Sequence, residues 1–159
     1  MAPPPEDDAA RTPAQLASRK SMRAVMRKRK SEWLALFAED ACIEDPVGTS
    51  PLDETGRGHR GAKAVEAFWD NNIEPNEFVF NIRESIAPEG SSECCNVGQI
   101  VTRVNQYKST SVTNGVFIYR VDAGGKIVSL RAFYVFSEMA ASTAPWPKPA
   151  KPAAAVGKL

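Results

Sequence analysis

Asp45 closes a short apolar run, Ala41-Cys42-Ile43-Glu44, and is followed at once by Pro46-Val47-Gly48. The run has the composition of a strand, and the proline fixes the backbone just beyond it. A carboxylate held in this way points its oxygens in one direction. Inside an apolar cavity it would serve as a general base. In a solvated turn it would only bond its own backbone. The sole histidine, His59, is of the residue type that can serve as a proton shuttle. Its setting, Gly58-His59-Arg60-Gly61, reads instead as a solvated loop, with Arg60 as a surface residue or loop clamp.

The bulk composition narrows the classes. The chain has 159 residues, 43% hydrophobic and 25% charged, with a formal net charge of +1. That fits one globular domain with tails and gives no global field for nucleic acid or an anionic membrane. No apolar run is long enough for a membrane-spanning helix, and the Met1-Ala-Pro-Pro-Pro start has no signal-peptide pattern. A cytoplasmic protein is expected. Three cysteines, two of them adjacent at Cys94 and Cys95, do not make a disulfide framework. With one histidine and no Cys-x-x-Cys, a zinc site has too few ligands, so neither metal nor cofactor is expected.

The elements that must position Asp45 follow from pattern. Residues 1–12 are rich in proline and acid and read as a disordered tail. Residues 141–159, rich in Pro, Ala and Lys, read as an extended tail in which Trp146 is solvated by default. The folded part is 13–140. Thr12-Pro13 starts a helix running to about Lys28, with Leu16, Met22, Val25 and Met26 as its apolar stripe. Ser31 reads as the cap of a second helix through Phe37. A strand follows at Cys42–Asp45, then a polar loop over 46–60. A third helix spans Ala62–Asn71, with Val65, Phe68, Trp69 and Ile73 on one buried face. Strands are expected at Glu77–Glu84, Glu93–Gln106, Ser109–Asp122 and Ile127–Glu138, with a turn at Asp122–Lys126. Three helices followed by long strands predict an α+β fold, helices covering one face of a curved antiparallel sheet. Incomplete cover leaves a cone-shaped cavity. The basic stretch Arg19–Lys30 reads as a solvated helix face and its C-terminal end; no aromatic residue interleaves it as in an RNA platform.

Three segments carry a resemblance. Trp33–Gly48, Ala67-Phe68-Trp69 and Tyr119–Phe133 resemble, in order and spacing, segments of the bacterial ketosteroid isomerases. Gly58-His59-Arg60-Gly61 is similar to a loop-to-helix junction of the wider nuclear transport factor 2-like (SnoaL-like) superfamily. The likeness covers roughly residues 13–138. It implies Asp45 as the base that moves a proton between two carbons of a Δ5-3-ketosteroid, and Asp40 as part of a helix-to-strand turn. It also implies a homodimer through the exposed sheet face and a steroid-like ligand, with Tyr134 at a cavity-lining position. Trp69, one of several aromatic residues numerous enough to line an apolar pocket, is a further candidate contact, or else a core residue. Such a reaction needs a donor to the developing oxyanion as well as a base. At the family's two donor positions this chain has Ser21, beside Met22, and Phe117. Serine is a weaker donor than the family's tyrosine, and phenylalanine donates nothing. Tyr119, on the same strand face as Phe117, and Tyr134 are the available replacements, or else core and rim residues. Three functions stay open: an isomerase-like enzyme, a non-catalytic binder of steroid-like ligands, and a protein-interaction module with its cavity filled.

Overall fold

The computed structural model describes residues 12–146. The tails expected over 1–11 and 147–159 lie outside the described residues. Helix α1 spans Pro13–Met26. Thr12 caps it as expected: its hydroxyl accepts from Gln15 N at 3.3 Å, while Gln15 Oε1 accepts from Thr12 N at 3.2 Å. The buried face differs from the expected stripe. It consists of Ala14, Ala17, Ser18, Ser21, Ala24 and Val25, whereas Met26 is exposed. Small side chains at this face let the helix lie close to the sheet.

Helix α2 is shorter than expected, Lys30–Leu34, and Ser31 lies inside it rather than at its cap. The chain becomes strand β1 already at Phe37 and continues to Glu44. Asp40 therefore belongs to the irregular first half of a strand, where pairing shifts register between Phe37 and Cys42. Strand β2, His59–Arg60, pairs with β1. Helix α3, Ala62–Phe68, runs into a π-helical turn, Trp69–Ile73. The wider turn keeps Val65, Phe68, Trp69 and Ile73 all buried, as their spacing predicted. Part of the basic stretch is structural. Lys28 Nζ donates to the carbonyls of Ile73, at the end of that turn, and Asn76, just after it, and Lys30 pairs with Glu66 at 3.0 Å and Asp70 at 2.8 Å.

The long strands are β3 (Asn76–Ile86), β4 (Glu93–Val104), β5 (Ser109–Val121) and β6 (Ile127–Phe133). The sheet order is β2-β1-β6-β5-β4-β3. It is antiparallel except that β1 lies parallel to β6, so the expected all-antiparallel sheet is in fact mixed. The parallel pair arises because the third helix and the rest of the sheet lie between these two strands in sequence. Among the described residues no helix is long and apolar enough to cross a membrane.

Two glycines allow the sheet to curl. Gly98 and Gly115 face each other across β4 and β5. A Cβ on Gly98 would lie 2.8 Å from Ile82 Cα, and one on Gly115 would lie 2.5 Å from the Phe133 carbonyl oxygen. Both obstacles are backbone, which yields only at a cost. Gly115→Ala is expected to destabilise the fold by about 1–3 kcal/mol, read by denaturant unfolding.

The strand expected to run to Glu138 stops at Phe133, where the chain leaves β5 opposite this crowded glycine. It turns through Tyr134 and Val135 into α4, Phe136–Ala141, and then β7, Ala144–Pro145, which pairs with the start of β5. The fold thus continues past residue 140. Ser142 Oγ accepts from Val112 N at 2.8 Å, and Trp146 Nε1 donates to the Ser109 carbonyl at 2.9 Å. Trp146 is docked rather than solvated, with Arg103 and Lys108 over its ring at 4.3 and 4.8 Å. This segment covers the edge of β5 that β6 leaves unpaired.

Candidate functional site

Strand alternation decides where Asp45 points. On β1, Ile43 faces the core, while Glu44 turns the other way and accepts from Arg131 Nε at 2.7 Å. Val47 N donates to the Ala132 carbonyl at 2.9 Å. These two anchors tie both sides of Asp45 to β6. The Asp45–Pro46 peptide is cis. The side chain of Asp45 opens into a cavity of about 260 Å³ between the helices and the sheet. Asp45 keeps some free surface, but that surface is cavity wall; protein encloses the carboxylate on its other sides.

The cavity wall is mainly apolar. Met22 and Val25 come from α1, Trp33 from α2, Phe68 and Ile73 from the third helix and its turn, and Phe78, Phe80, Ile82, Ile100, Phe117 and Leu130 from the sheet. Met139 of α4 and Leu52 of the 46–58 loop complete it. Of the residues singled out by sequence, Asp45, Ser21, Phe117, Tyr119 and Tyr134 all line this one cavity. Trp69 does not. It is fully buried behind the wall, 5.3 Å from Trp33 between ring centroids, and its Nε1 donates to Glu74 at 2.7 Å. Its expected role as a ligand contact is therefore corrected to a core role: on a helix packed this closely, the residue after Phe68 points away from the cavity.

The polar groups form two sets. Burial pushes the Asp45 carboxyl above the ordinary carboxylate range; a hydrogen bond from the Tyr134 phenol and the nearby His59 oppose that shift. A carboxylate can only accept, so Tyr134 is the donor in this pair. Burial and the Asp45 charge together keep the Tyr134 phenol protonated. In the second set, Trp33 Nε1 donates to Ser21 Oγ at 3.0 Å, and the phenol of Tyr119 lines the same cavity as Ser21. Phe117, across from Ala132, offers only its ring.

His59 is not the solvated loop residue expected from sequence. It sits on β2 with its ring 5.1 Å from that of Phe68, and its Nε2 is buried without a protein partner. Sequence reasoning also missed a polar stretch of the wall formed by Thr102, Ser111 and Thr113 with Asn72 and Asn76. The signal was present: continuing the alternation of β5 back from Phe117 puts Thr113 and Ser111 on the same face. Among the described residues no cluster of three or more His, Cys, Asp or Glu is placed to hold a metal.

A partly covered, curled sheet enclosing a mostly apolar cavity, with one carboxylate aimed into it, defines a cone-shaped α+β domain of the nuclear transport factor 2-like type. The chain belongs to the SnoaL-like domain family, whose model matches residues 18–130. No curated protein matches it significantly. Solved structures do. The RV0760c protein of Mycobacterium tuberculosis is 32% identical, with a TM-score of 0.77 over 81% of this chain and 96% of its own. The same protein is also known in complex with estradiol-17β-hemisuccinate. A Δ5-3-ketosteroid isomerase from Mycobacterium sp. is 30% identical, with a TM-score of 0.76 over 84% of this chain and 98% of its own. A computationally designed binder of 17-OHP is 30% identical, with a TM-score of 0.76 over 80% and 97%.

Proposed function

We propose that the cavity binds a steroid or a similar flat, apolar carbonyl compound, and that Asp45 is the general base for proton transfer beside its enone. The observation that carries this reading is the Asp45 carboxylate facing a mainly apolar cavity whose wall also holds Tyr134. A raised carboxyl is a stronger base once ionised, and its distance from bulk water spares it competition for the substrate proton. The similarity to a ketosteroid isomerase and to a protein solved with a steroid ester supports the ligand class. The reaction is internal to the substrate. Asp45 takes a proton from the carbon between the carbonyl and the alkene, the electrons move into a dienolate, and the same proton returns at the far carbon. No cofactor enters.

Phe117 favours one second reading, a non-catalytic binder of the same ligands, since it removes a donor from the cavity. Turnover of a Δ5-3-ketosteroid decides between them. Isomerisation that is faster in the wild type than in Asp45→Asn supports the enzyme; equal rates with retained ligand binding support the binder.

The reading includes a homodimer through the outer face of the sheet and a cytoplasmic location. That face carries two in-register apolar rows, Val79-Val101-Val112 and Val97-Val116-Phe133, with Val79 and Phe133 exposed. Sedimentation is expected to give twice the chain mass. Val79→Lys with Phe133→Glu is expected to return it to one chain.

A further inference from the structure

We propose that the ligand carries a second, neutral oxygen function, a hydroxyl or carbonyl at the end of its flat skeleton remote from the enone, held by the hydroxyls of Thr102, Ser111 and Thr113. The inference rests on the reading of the cavity as a carbonyl-ligand site and narrows the ligand class within it.

Sheet register places these three groups together. Thr102 on β4 lies directly opposite Ser111 on β5, and the next pair on that face is Ile100 with Thr113. All of them line the cavity. Asp45 belongs to the other end. Val47, two residues beyond it, is bonded to Ala132, and Ala132 lies opposite Phe117. Going from Phe117 to Thr113 along β5 covers about 13 Å at the usual rise of a strand. A fused-ring skeleton with an oxygen at each end spans a comparable length.

The state of the hydroxyls carries the argument. Ser111 and Thr113 are only 6% and 8% exposed, so they are not the solvated rim of the cavity. Among the described residues, none of the three hydroxyls has a hydrogen-bond partner. Each brings one hydrogen that needs an acceptor, and leaving it unmade away from water is costly. Asn72 and Asn76 add to this part of the wall. Their amide nitrogens donate to the carbonyls of Phe68 and Asn72, which leaves their side-chain oxygens to accept from a ligand hydroxyl. Among the described residues Asp45 is the only charged one lining the cavity. A carboxylate or phosphate at the far end would meet no cationic side chain in the wall, so the group that fits is neutral. The segment after β6 closes this end. Ser142 bonds to Val112, the residue between Ser111 and Thr113, and Met139 of α4 joins the wall. Oxygens held at both ends would fix the orientation of an otherwise apolar ligand and set its carbonyl beside Asp45.

The test measures, by calorimetry on the whole protein, the binding of three enones that differ only at the far end: testosterone with a hydroxyl, androst-4-ene-3,17-dione with a carbonyl, and androst-4-en-3-one with neither. The wild type is expected to bind both oxygenated compounds roughly 3- to 10-fold more tightly than the third. Burial of apolar surface alone would give the opposite order. Ser111→Ala combined with Thr113→Val is expected to abolish the preference while androst-4-en-3-one still binds. Thr113→Val alone, which keeps the side chain's shape, is expected to lose part of it. Equal or reversed affinities in the wild type overturn the proposal without recourse to any variant, and so does a preference that survives undiminished in Thr113→Val and in the double variant. In either case, binding of all three enones leaves the reading of the cavity standing. Binding of none overturns both.

Discussion

Replacing Asp45 by Asn is expected to slow isomerisation of a Δ5-3-ketosteroid by about 10²–10⁴-fold, the usual contribution of a positioned general base. Asn keeps the shape and can still accept the Tyr134 hydrogen bond, so the loss isolates the missing basicity. The same substitution is expected to stabilise the fold at neutral pH. Burial raises the Asp45 carboxyl above its ordinary 3.8. The folded state therefore holds this proton more tightly than the unfolded state does. As pH rises from the ordinary value through the raised one, the unfolded chain releases its proton first, and the wild type loses stability across that window. The Asp45→Asn variant has no such loss. Thermal melts of the two proteins should converge near or below the ordinary value of 3.8 and separate in favour of the variant as the pH rises. Wild-type turnover should fall on acidification with an inflection above 3.8. Parallel melting curves at every pH would show that the carboxylate is solvated and would remove the physical basis for calling it a cavity base.

Trp69→Ala is expected to cost about 3–5 kcal/mol of stability, a drop in melting temperature on the order of 10 °C for a domain of this size. The magnitude comes from packing. Trp69 is fully buried in an aromatic cluster with Trp33, Phe37 and Phe68. Its hydrogen-bond partner Glu74 is exposed, so water replaces that bond at little cost. The void left by the indole is the dominant loss. Because Trp33, which lines the cavity, rests on Trp69, the Ala variant should bind ligand more weakly as well. Trp69→Phe should restore most of the stability and leave affinity unchanged. A large affinity loss in Trp69→Phe with unchanged stability would return this residue to the ligand-contact role that its position in the sequence suggested.

The apolar periodicities locate most elements correctly because burial imposes them directly. Val65, Phe68, Trp69 and Ile73 recur at helical spacing, and all four are buried. Phe117 and Tyr119 alternate on β5, and both face the cavity. The errors fall where tertiary contacts override local pattern. Ser31 has the chemistry of a cap, but α2 begins at Lys30, whose ammonium reaches Glu66 and Asp70 on the third helix and its turn. Met26 continues an apolar stripe, yet the close approach of α1 to the sheet selects alanines and serines instead. Pattern alone carries the last long strand to Glu138, whereas the strand ends at Phe133 and the chain turns into α4, whose Met139 reaches the cavity wall. Trp146 has the surroundings of a tail residue, and its partner Ser109 lies 37 residues earlier in the chain.

What the sequence determined by itself is the layered α+β architecture, since it follows from local periodicity; the strand-proline junction at Asp45 left a cavity base and a solvated turn both open, and the resemblance made it the candidate base. Only the tertiary structure decided which polar groups share the cavity. Ser21, Trp33 and Tyr119 come from α1, α2 and β5, and Tyr134 follows β6, yet all line the cavity with Asp45. Each hydroxyl has one hydrogen to give, so its role depends on the partner it finds, and that partner is set by packing between segments far apart in the chain.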